Sequence, residues 1–539
     1  MKLLRYLLTI SLLATCLLGT AARAEETAVP PAPEPEIDGY IVEIDVPVRL
    51  LSASDSSFPE MSEVYAPASV YQAPDASTVN VLRAWGVLRS VEPNYVVTLD
   101  DTPSLQSADD DSAQDADDNS AQDGDDDSAQ DGDAVLLDAS GDEYPWYMSA
   151  LDMDWVRAQG IRGGGVRVGI IDSGLYAEHQ EFQGVKVLSG ANYCVSKTDA
   201  NRSNVVDTLG HGTFVSGLIA AAENNAGLVG LSPDVEIVPL KCFEGKNGSI
   251  ANIAEAIYDA VDTWHCQVIN LSLGIEKESA VLRKAIEYAD KAGVIMIAAA
   301  GNLLSGSHNP NGDPLNYPAA YPEVIGVGSV GSDLSVSYFS YRNASVDVCA
   351  PGQNLRGPSY SNATKYVSGY GTSYAAPMVT AAAALTLSAR PNMSAAEFRD
   401  LLRDTVRDAG DAGYDTAYGY GTLHAGHLLS AATGNLAHQV TLYRQEFSEM
   451  DGPTPALLAA AYDENGALLD TLDVSPPVAL DREPNTLPIL AGDVDDYPEE
   501  TFRIPGAARW KLFPFDRFTY SPVRASVELY GGVPNGDSP

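Results

Sequence analysis

Between residues 144 and 434, short apolar runs alternate with longer segments, and this rhythm limits the fold more than any other feature of the sequence. Short, mostly apolar runs predict buried strands, while the longer amphipathic or apolar segments predict helices. The predicted strands are 166–171, 235–242, 268–273, 294–299 and 324–330, and helices are predicted at 250–264 and 278–292. Strands that alternate with helices in this way favour an α/β domain, with a parallel sheet flanked by helices on both faces.

The N-terminus has the composition of an export signal. Basic residues precede an apolar run over 7–18, and Ala22 and Ala24 are small residues of the kind that a signal peptidase reads. The apolar run is too short for a permanent membrane anchor, which is the alternative interpretation. We therefore expect residues 1–24 to be removed and the protein to be secreted, either outside the cell or into the periplasm or cell envelope.

A small folded unit is predicted between a disordered lead-in and an acidic repeat. Residues 25–37 are rich in Pro, Ala and Glu, which predicts the disordered lead-in. Residues 38–99 contain strand-like runs at 40–44 and 91–97, and we expect a small α+β domain. Pro93 predicts that the second strand lies at a sheet edge, because proline cannot donate to a strand ladder.

Residues 100–143 are predicted to form an acidic linker. The triplet Ser-Ala-Gln recurs every eight residues, and 100–133 contains 14 Asp and no Lys or Arg. Such a segment cannot bury a core, and its charges repel one another. Asp-rich repeats can bind calcium, but the spacing of an EF-hand loop is absent. Beyond the main domain, residues 435–539 contain strand-like pieces, which predict a β-rich C-terminal domain of unknown role.

Charge and cysteine content narrow the partners and the compartment. The formal net charge of −42 argues against nucleic acid and anionic lipid as partners. Once Cys16 leaves with the signal, four cysteines remain: Cys194, Cys242, Cys266 and Cys349. In an exported chain they allow up to two disulfides in three possible connectivities, and buried free thiols are the alternative.

Three short segments carry residues suited to nucleophilic catalysis. Asp172 ends an apolar strand, where catalytic groups gather in parallel sheets. His211 lies between two glycines at the start of a helical run, and Ser373 precedes the almost wholly apolar helix 378–387. At that helix N-terminus, the amide of Ser373 can stabilise a developing oxyanion. Each residue alone also has a structural explanation, as a turn acid, a helix-terminal histidine or an N-cap serine.

A fourth segment supplies a second oxyanion donor. Asn302 follows the apolar strand 294–299 and Gly301, and its carboxamide can donate a hydrogen bond into a cleft. The motifs IIDSG, GHGT, INLSLG, AAGN and GTSYAAP occur in this order along the chain. Over residues 144–432 the sequence therefore resembles the subtilisin-like serine proteases, or subtilases, in which Asp precedes His and His precedes Ser.

The resemblance implies a secreted serine endopeptidase that acts as a monomer on proteins or peptides. It implies that Ser373 is the nucleophile and that His211 carries its proton. Asp172 would orient the imidazole, and Asn302 would hold the oxyanion together with the Ser373 amide.

The resemblance also implies how substrate binds. A peptide would add to an extended edge, and small residues would wall the primary specificity pocket, leaving room for a large side chain. The edge residues are Ser272, Leu273 and Gly274, and the wall residues are Ala299, Ala300 and Gly301.

A structural Ca²⁺ site is implied by the loop after the His211 helix. This loop is similar in length to the calcium loop of the family, and its oxygen ligands suit a hard cation. The expected ligands are Glu181 and Asn224, with the carbonyls of Ala222, Ala226 and Leu228. A well-packed loop without metal is the alternative.

The small folded unit is similar to the inhibitory propeptide of the family. We expect the segment after Tyr95 to lie in the substrate cleft and to pair with the 272–274 edge. The chain would then be a self-processing zymogen, cut between Thr98 and Tyr144, near the apolar residues 135–137.

Two other functions are compatible with parts of the pattern. A catalytically inactive subtilase could serve as a binding protein, although all four expected catalytic positions are intact. A lipase or esterase would need Gly-x-Ser-x-Gly, whereas Ala375 replaces the second glycine here.

Overall fold

The computed structural model describes residues 36–44, 61–99, 106–107, 144–303, 307–411 and 413–433, together with the backbone of six strands between 443 and 530. The predictions for the signal peptide, most of the lead-in and nearly all of the acidic linker lie outside the described residues. Within these ranges, no helix has both the length and the apolar character needed to cross a membrane.

Residues 37–99 form an antiparallel sheet with one helix. The elements are β1 (Ile37–Ile44), β2 (Ser62–Tyr65), a 3-10 turn (Ala66–Ala68), β3 (Val70–Ala73), α1 (Ala76–Ala84) and β4 (Leu88–Thr98). The strand order is β4-β1-β3-β2. Helix α1 begins where Asp75 accepts a hydrogen bond from Thr78 N at 2.8 Å, and it buries Val79 and Leu82 in a small hydrophobic core.

Strand β4 extends beyond its own domain. Its last residues, Val96 to Thr98, pair with strand β11 (Asn247–Ser249) of the main domain, so β4 is an interior strand of a six-stranded sheet. The prediction of an edge strand is therefore wrong for this end. Pairing with β11 begins past Pro93, so the missing proline N–H costs no bond to that strand.

The main domain is built on a parallel sheet. Its strands are β6 (Arg167–Asp172), β7 (Lys186–Val187), β8 (Ala191–Asn192), β9 (Glu236–Lys241), β12 (Val268–Leu271), β13 (Ile295–Ala299), β14 (Val324–Val330) and β15 (Val348–Pro351). They lie in the order β15-β14-β13-β12-β6-β9-β7, with β8 beside β9, and all these pairings are parallel. Smaller strands are β5 (Gln106–Ser107), β10 (Phe243–Glu244), β11, β16 (Leu355–Pro358) and β17 (Tyr366–Gly369).

Helices cover both faces of this sheet. They are α2 (Trp146–Ala150), α3 (Met153–Ala158), α4 (His211–Ala220), α5 (Ile250–Asp262), α6 (Ala280–Lys291), α7 (Thr372–Ala389), α8 (Ala395–Thr405) and α9 (Ala425–Thr433), with a 3-10 turn at Gln180–Phe182. Successive strand residues face opposite sides. Val268 accordingly lies in the core that contains α4 and α7, whereas Ile269 lies in the core that contains α5 and α6. The predicted α/β fold is confirmed.

The C-terminal region contains the strands β18 (Tyr443–Glu446), β19 (Pro455–Tyr462), β20 (Leu468–Asp473), β21 (Thr486–Ile489), β22 (Arg509–Asp516) and β23 (Val527–Tyr530). They form two antiparallel sheets, β18-β21 and β20-β19-β22-β23. The β-rich character that was predicted for residues 435–539 is present in the structure.

Candidate active site

The site begins with an aspartate and a histidine at the carboxyl edge of the sheet. Asp172 is the last residue of β6, and His211 is the first residue of α4. His211 Nδ1 lies 2.8 Å from Asp172 Oδ1 and 3.0 Å from Oδ2, and both side chains are buried. Because a carboxylate only accepts hydrogen bonds, this contact holds a proton on Nδ1 and makes Nε2 the basic nitrogen of the neutral ring.

A second buried carboxylate fixes the helix that carries the histidine. Asp207 is 4% exposed, and it accepts five hydrogen bonds. The donors are Ser173 Oγ, Leu209 N, Gly210 N, Thr213 N and Thr213 Oγ1. Asp207 thus caps α4 and ties it to the residue after Asp172. The sequence analysis missed Asp207, because it lies three residues before the N-cap, Gly210, where no local capping pattern marks it.

Ser373 is the second residue of α7, which begins six residues earlier than the predicted apolar run at 378–387. Pro377 therefore lies inside the helix and cannot donate to the Ser373 carbonyl. Ser272 replaces that bond, since its Oγ donates to Ser373 O at 2.6 Å. Asn270 Nδ2 donates in turn to Ser272 Oγ at 2.8 Å. The strand end after β12 thereby fixes the backbone of Ser373.

Two amide donors border a gap beside Ser373. Asn302 Oδ1 accepts a hydrogen bond from Thr372 N at 2.9 Å, which orients the carboxamide. Asn302 Nδ2 is buried and has no hydrogen-bond partner among the residues that the structure describes. A Cβ on Gly371 would lie 3.6 Å from Asn302 Nδ2 and 3.7 Å from Ser373 N. The space that this glycine leaves open can therefore admit an oxygen between two N–H donors.

Comparison with known proteins decides the family. A model of the subtilase family matches residues 163–421. Subtilisin DY from Bacillus licheniformis is 38% identical over 285 residues, which cover 52% of this chain and 96% of that protein. Subtilisin Savinase from Lederbergia lenta is 32% identical over 282 residues, covering 52% and 97%. The minor extracellular protease Epr from Bacillus subtilis is 31% identical over 290 residues, covering 53% and 42%.

The chain belongs to the subtilase family. The match includes the aspartate, the histidine, the asparagine and the serine described above. Two subtilisins align with this chain over nearly the whole of their own length. This subtilase is therefore a serine endopeptidase that hydrolyses peptide bonds.

The expected specificity pocket of this subtilase ends on a residue that the sequence analysis did not identify. A Cβ on Gly274 would lie 2.0 Å from Asn316 Nδ2, and a Cβ on Gly301 would lie 3.3 Å from Asn316 Cβ. Asn316 Nδ2 donates to Ala299 O at 3.1 Å, which fixes the side chain between the predicted wall and the predicted substrate-binding edge. A pocket between Gly274 and Gly301 would therefore be shallower than the small residues of its predicted wall imply.

The side chains of three other predicted substrate-binding residues make contacts within the protein. Leu273 is buried in the core that contains α5 and α6. Ala300 is buried in a small cluster with Cys349, and the Ser272 hydroxyl binds the Ser373 carbonyl. These residues can offer a peptide only their main-chain groups. The predicted edge at 272–274 is also not paired with β4, whose partner is β11.

The five residues that are expected to bind calcium contact one another in the structure through hydrogen bonds. The carboxylate of Glu181 is buried, and its Oε1 accepts hydrogen bonds from Leu228 N at 2.9 Å and from the Tyr366 hydroxyl. Ala222 N donates to Glu181 O at 2.8 Å, and Asn224 Oδ1 caps the loop at Ala226 N. Each of the five expected metal ligands is an oxygen atom, which suits Ca²⁺. Within the described ranges, no three His, Cys, Asp or Glu cluster as metal ligands.

The prediction of up to two disulfides does not hold in the structure, where Cys194, Cys242, Cys266 and Cys349 are free thiols. Cys266 lies beside Gly169 on β6 and Cys349 beside Gly328 on β14, and because β12 and β13 separate these strands, the two cysteines are too far apart to pair. Burial raises the pKa of Cys194 and of Cys266 to about 12, and therefore keeps both protonated. The buried-thiol alternative describes Cys242, Cys266 and Cys349, whereas Cys194 is a half-buried thiol.

Proposed function

We propose that this subtilase hydrolyses peptides through an acyl-enzyme formed on Ser373. One arrangement carries the proposal. His211 Nδ1 is hydrogen-bonded to the Asp172 carboxylate, and two amide donors face the gap beside Ser373. His211 takes the hydroxyl proton on Nε2 while Ser373 Oγ attacks the peptide carbonyl carbon. The same nitrogen then gives this proton to the leaving amine, and a water molecule repeats the sequence to release the acid.

Two further groups act on charge that develops during the reaction. Asp172 stabilises the imidazolium, because its carboxylate lies within hydrogen-bond distance of Nδ1. Asn302 Nδ2 and the amide of Ser373 bind the oxyanion of the tetrahedral intermediate. Both donors are fixed before the reaction starts, by the Thr372 N–H bond to Asn302 and by the Ser272 bond to the Ser373 carbonyl.

We also infer that residues 38–99 are an inhibitory propeptide. Glu92 supports this inference, since its carboxylate lies at the N-terminus of α6 and accepts hydrogen bonds from Ala280 N at 2.9 Å and Val281 N at 3.1 Å. A negative charge is favourable there because the helix N-terminus is the positive end of its dipole. Asn94 Oδ1 accepts a hydrogen bond from Ala251 N at 2.9 Å at the start of α5.

Side-chain contacts reinforce the attachment of this domain. The Tyr65 ring stacks on the Tyr258 ring with centroids 3.7 Å apart and planes at 2°. Its hydroxyl donates to Asp262 at 3.0 Å, and Lys284 forms a 2.7 Å ion pair with Glu43. Addition of β4 to β11 supplies main-chain bonds of the kind by which extended peptides bind to a sheet edge.

The chain beyond β4 is held on both sides of the candidate site. Leu99 N donates to Lys246 O at 2.9 Å, and the neighbouring Gly245 N donates to Thr208 Oγ1 at 3.1 Å. Thr208 lies three residues before His211. Strand β5, at 106–107, then pairs with β17, which ends shortly before the Ser373 helix.

The contacts of Leu99 and of β5 support a first self-cleavage between Leu99 and Gln106, upstream of the apolar residues 135–137. The test compares the wild type with Ser373→Ala, each expressed alone, by determining the N-terminus of each product. The wild type should lose residues 38–99, and the variant should keep them. Identical trimming of both chains would assign processing to another protease.

The inhibitory role needs its own measurement. In the full-length chain, Tyr65→Ala should shorten the lag before activity appears, because it removes the stacked contact on Tyr258. The exposed Tyr414 has no such contact with the N-terminal domain, and Tyr414→Ala is the matched control. Equal lags in Tyr65→Ala and the control would contradict the proposed inhibition.

We propose that the protein is secreted, has no permanent membrane anchor and acts as a monomer. The signal-like composition of residues 1–24 supports export. A relative that is 31% identical is named as an extracellular protease. Fractionation of the producing cells should recover the peptidase outside the cytoplasm, and light scattering should give the mass of one chain.

Bound Ca²⁺ at the loop of Glu181 is likewise a proposal, which the buried carboxylate and the oxygen-only donor set support. A ligand that binds only the native state raises stability by mass action. Calcium should therefore raise the melting temperature of Ser373→Ala, and the additional variant Glu181→Gln should lose that gain. Glu223 lies in the same loop but pairs with Arg162, so Glu223→Gln is the control. Equal melting temperatures with calcium and with chelator would remove the site.

A further inference from the structure

An aromatic side chain lies directly against the candidate general base. Tyr374 follows Ser373, and its ring centroid is 5.4 Å from that of the His211 imidazole, with planes tilted by 37°. Both side chains are fully buried. The Phe214 ring lies on the same tyrosine at 4.3 Å, so the Tyr374 ring is held in place by the helix that also carries His211.

We propose that Tyr374 is a positioning residue that stabilises the protonated imidazole of His211 through its ring face. The inference rests on the proposed function, in which His211 becomes an imidazolium when it takes the Ser373 proton. A cation within about 6 Å of a tyrosine centroid is attracted by the ring quadrupole, and the attraction grows when both groups are desolvated. The 5.4 Å separation and the full burial of both rings meet these conditions.

The other charges around His211 come from separate elements. Asp172 on β6 binds Nδ1 directly, and Asp207 accepts hydrogen bonds from the backbone at the start of α4. Lys241 on β9 is paired in register with Asp172, and its Nζ donates to Val206 O at 2.9 Å. A substitution of Tyr374 leaves these charged groups unchanged. A change in the proton affinity of the imidazole is then attributable to the aromatic ring.

The contact predicts two effects of equal size. The imidazolium exists in the resting enzyme at low pH and again in the transition state, and the ring stabilises it in both. Removal of the π-face should therefore lower the midpoint of the acid limb of the pH–rate profile. It should also lower kcat/KM on the alkaline side of that midpoint, by a factor whose logarithm equals the shift in pH units.

The experiment measures kcat/KM of the processed enzyme on a peptide p-nitroanilide from pH 5 to pH 10. Tyr374→Phe keeps the ring and should retain the wild-type midpoint. Tyr374→Met fills the space without a π-face, and we expect a loss of about tenfold and a downward shift of about one pH unit. Phe398→Leu removes a buried aromatic residue of α8 from the same hydrophobic core, and it controls for lost packing.

Each result has a defined meaning. A loss of rate in Tyr374→Met without a shift of the acid limb would overturn the inference, and so would an equal shift in Phe398→Leu. If Tyr374→Met does not fold, Tyr374→Leu provides the same comparison with Tyr374→Phe. Peptidase activity that survives Ser373→Ala would instead reject the proposed function, whatever the Tyr374 variants show.

Discussion

Acid should destabilise this subtilase through a pair of stacked histidines, of which His424 is buried and His427 is half-buried. The rings of His424 and His427 stack with centroids 3.6 Å apart and planes at 6°, and His427 N donates to His424 Nδ1 at 3.1 Å. Burial lowers the pKa of His427 from 6.5 to about 4, with help from the positive charge of Arg407. Burial also lowers the pKa of His424, and the nearby His427 and Arg407 act in the same direction.

The sign of the effect follows from proton binding. Between pH 6.5 and about 4, the unfolded chain binds a proton at residue 427 that the folded chain does not bind. Folding stability therefore rises with pH in this window, and it is lost as the pH falls through 6.5 towards 4. The slope is up to about 1.4 kcal/mol per pH unit, and the total for this one histidine is about 3 kcal/mol.

Urea unfolding of Ser373→Ala at pH 7.0, 6.0, 5.0 and 4.5 measures the dependence without self-digestion. Adding His427→Gln should lower stability at pH 7, because the stacked contact is lost. It should also flatten the slope between pH 4.5 and 6 by up to about 1.4 kcal/mol per pH unit. His265 is exposed, so His265→Gln should leave the slope unchanged. Parallel curves for the Ser373→Ala parent and His427→Gln would show that His427 does not titrate in this way.

Two substitutions probe the site itself. Asn302→Ala should lower kcat by about 10²–10³ with little change in KM, since it removes one oxyanion donor; an effect on KM alone would mean that Asn302 only binds substrate. Asn316→Gly should deepen the pocket between Gly274 and Gly301 and raise kcat/KM for a phenylalanine before the cleaved bond, relative to alanine, by about tenfold or more. An unchanged ratio would place the primary pocket elsewhere.

The sequence predicts well what depends on local pattern. The parallel sheet follows from short apolar runs, and Asp172 is found at a strand end because the run before it is continuous. His211 begins a helix beside its flanking glycines as expected. Ser373 lies at a helix N-terminus, although the helix begins at Thr372, before the predicted apolar run at 378–387. Pro377 is tolerated inside α7 because Ser272, a residue 101 positions away, satisfies the Ser373 carbonyl.

The features that the sequence did not predict depend on contacts between residues that are far apart in the chain. Asn316 closes the pocket only because its side chain reaches back to Ala299 from a separate loop. Strand β4 pairs with β11 instead of the 272–274 edge, and no local pattern distinguishes two free edges. The cysteines could not be assigned from spacing, since pairing depends on the distance between Cα atoms in the folded chain.

The acyl-enzyme mechanism is tested by finding the residue that a fluorophosphonate labels in the processed enzyme. The fluorophosphonate reacts as the substrate carbonyl does, so labelling needs both a nucleophilic serine and its base. Peptide mass spectrometry should find one label, on Ser373, with loss of peptidase activity in proportion to labelling. His211→Ala should react far more slowly. Label on another serine, or full activity after Ser373 has been labelled, would contradict the mechanism.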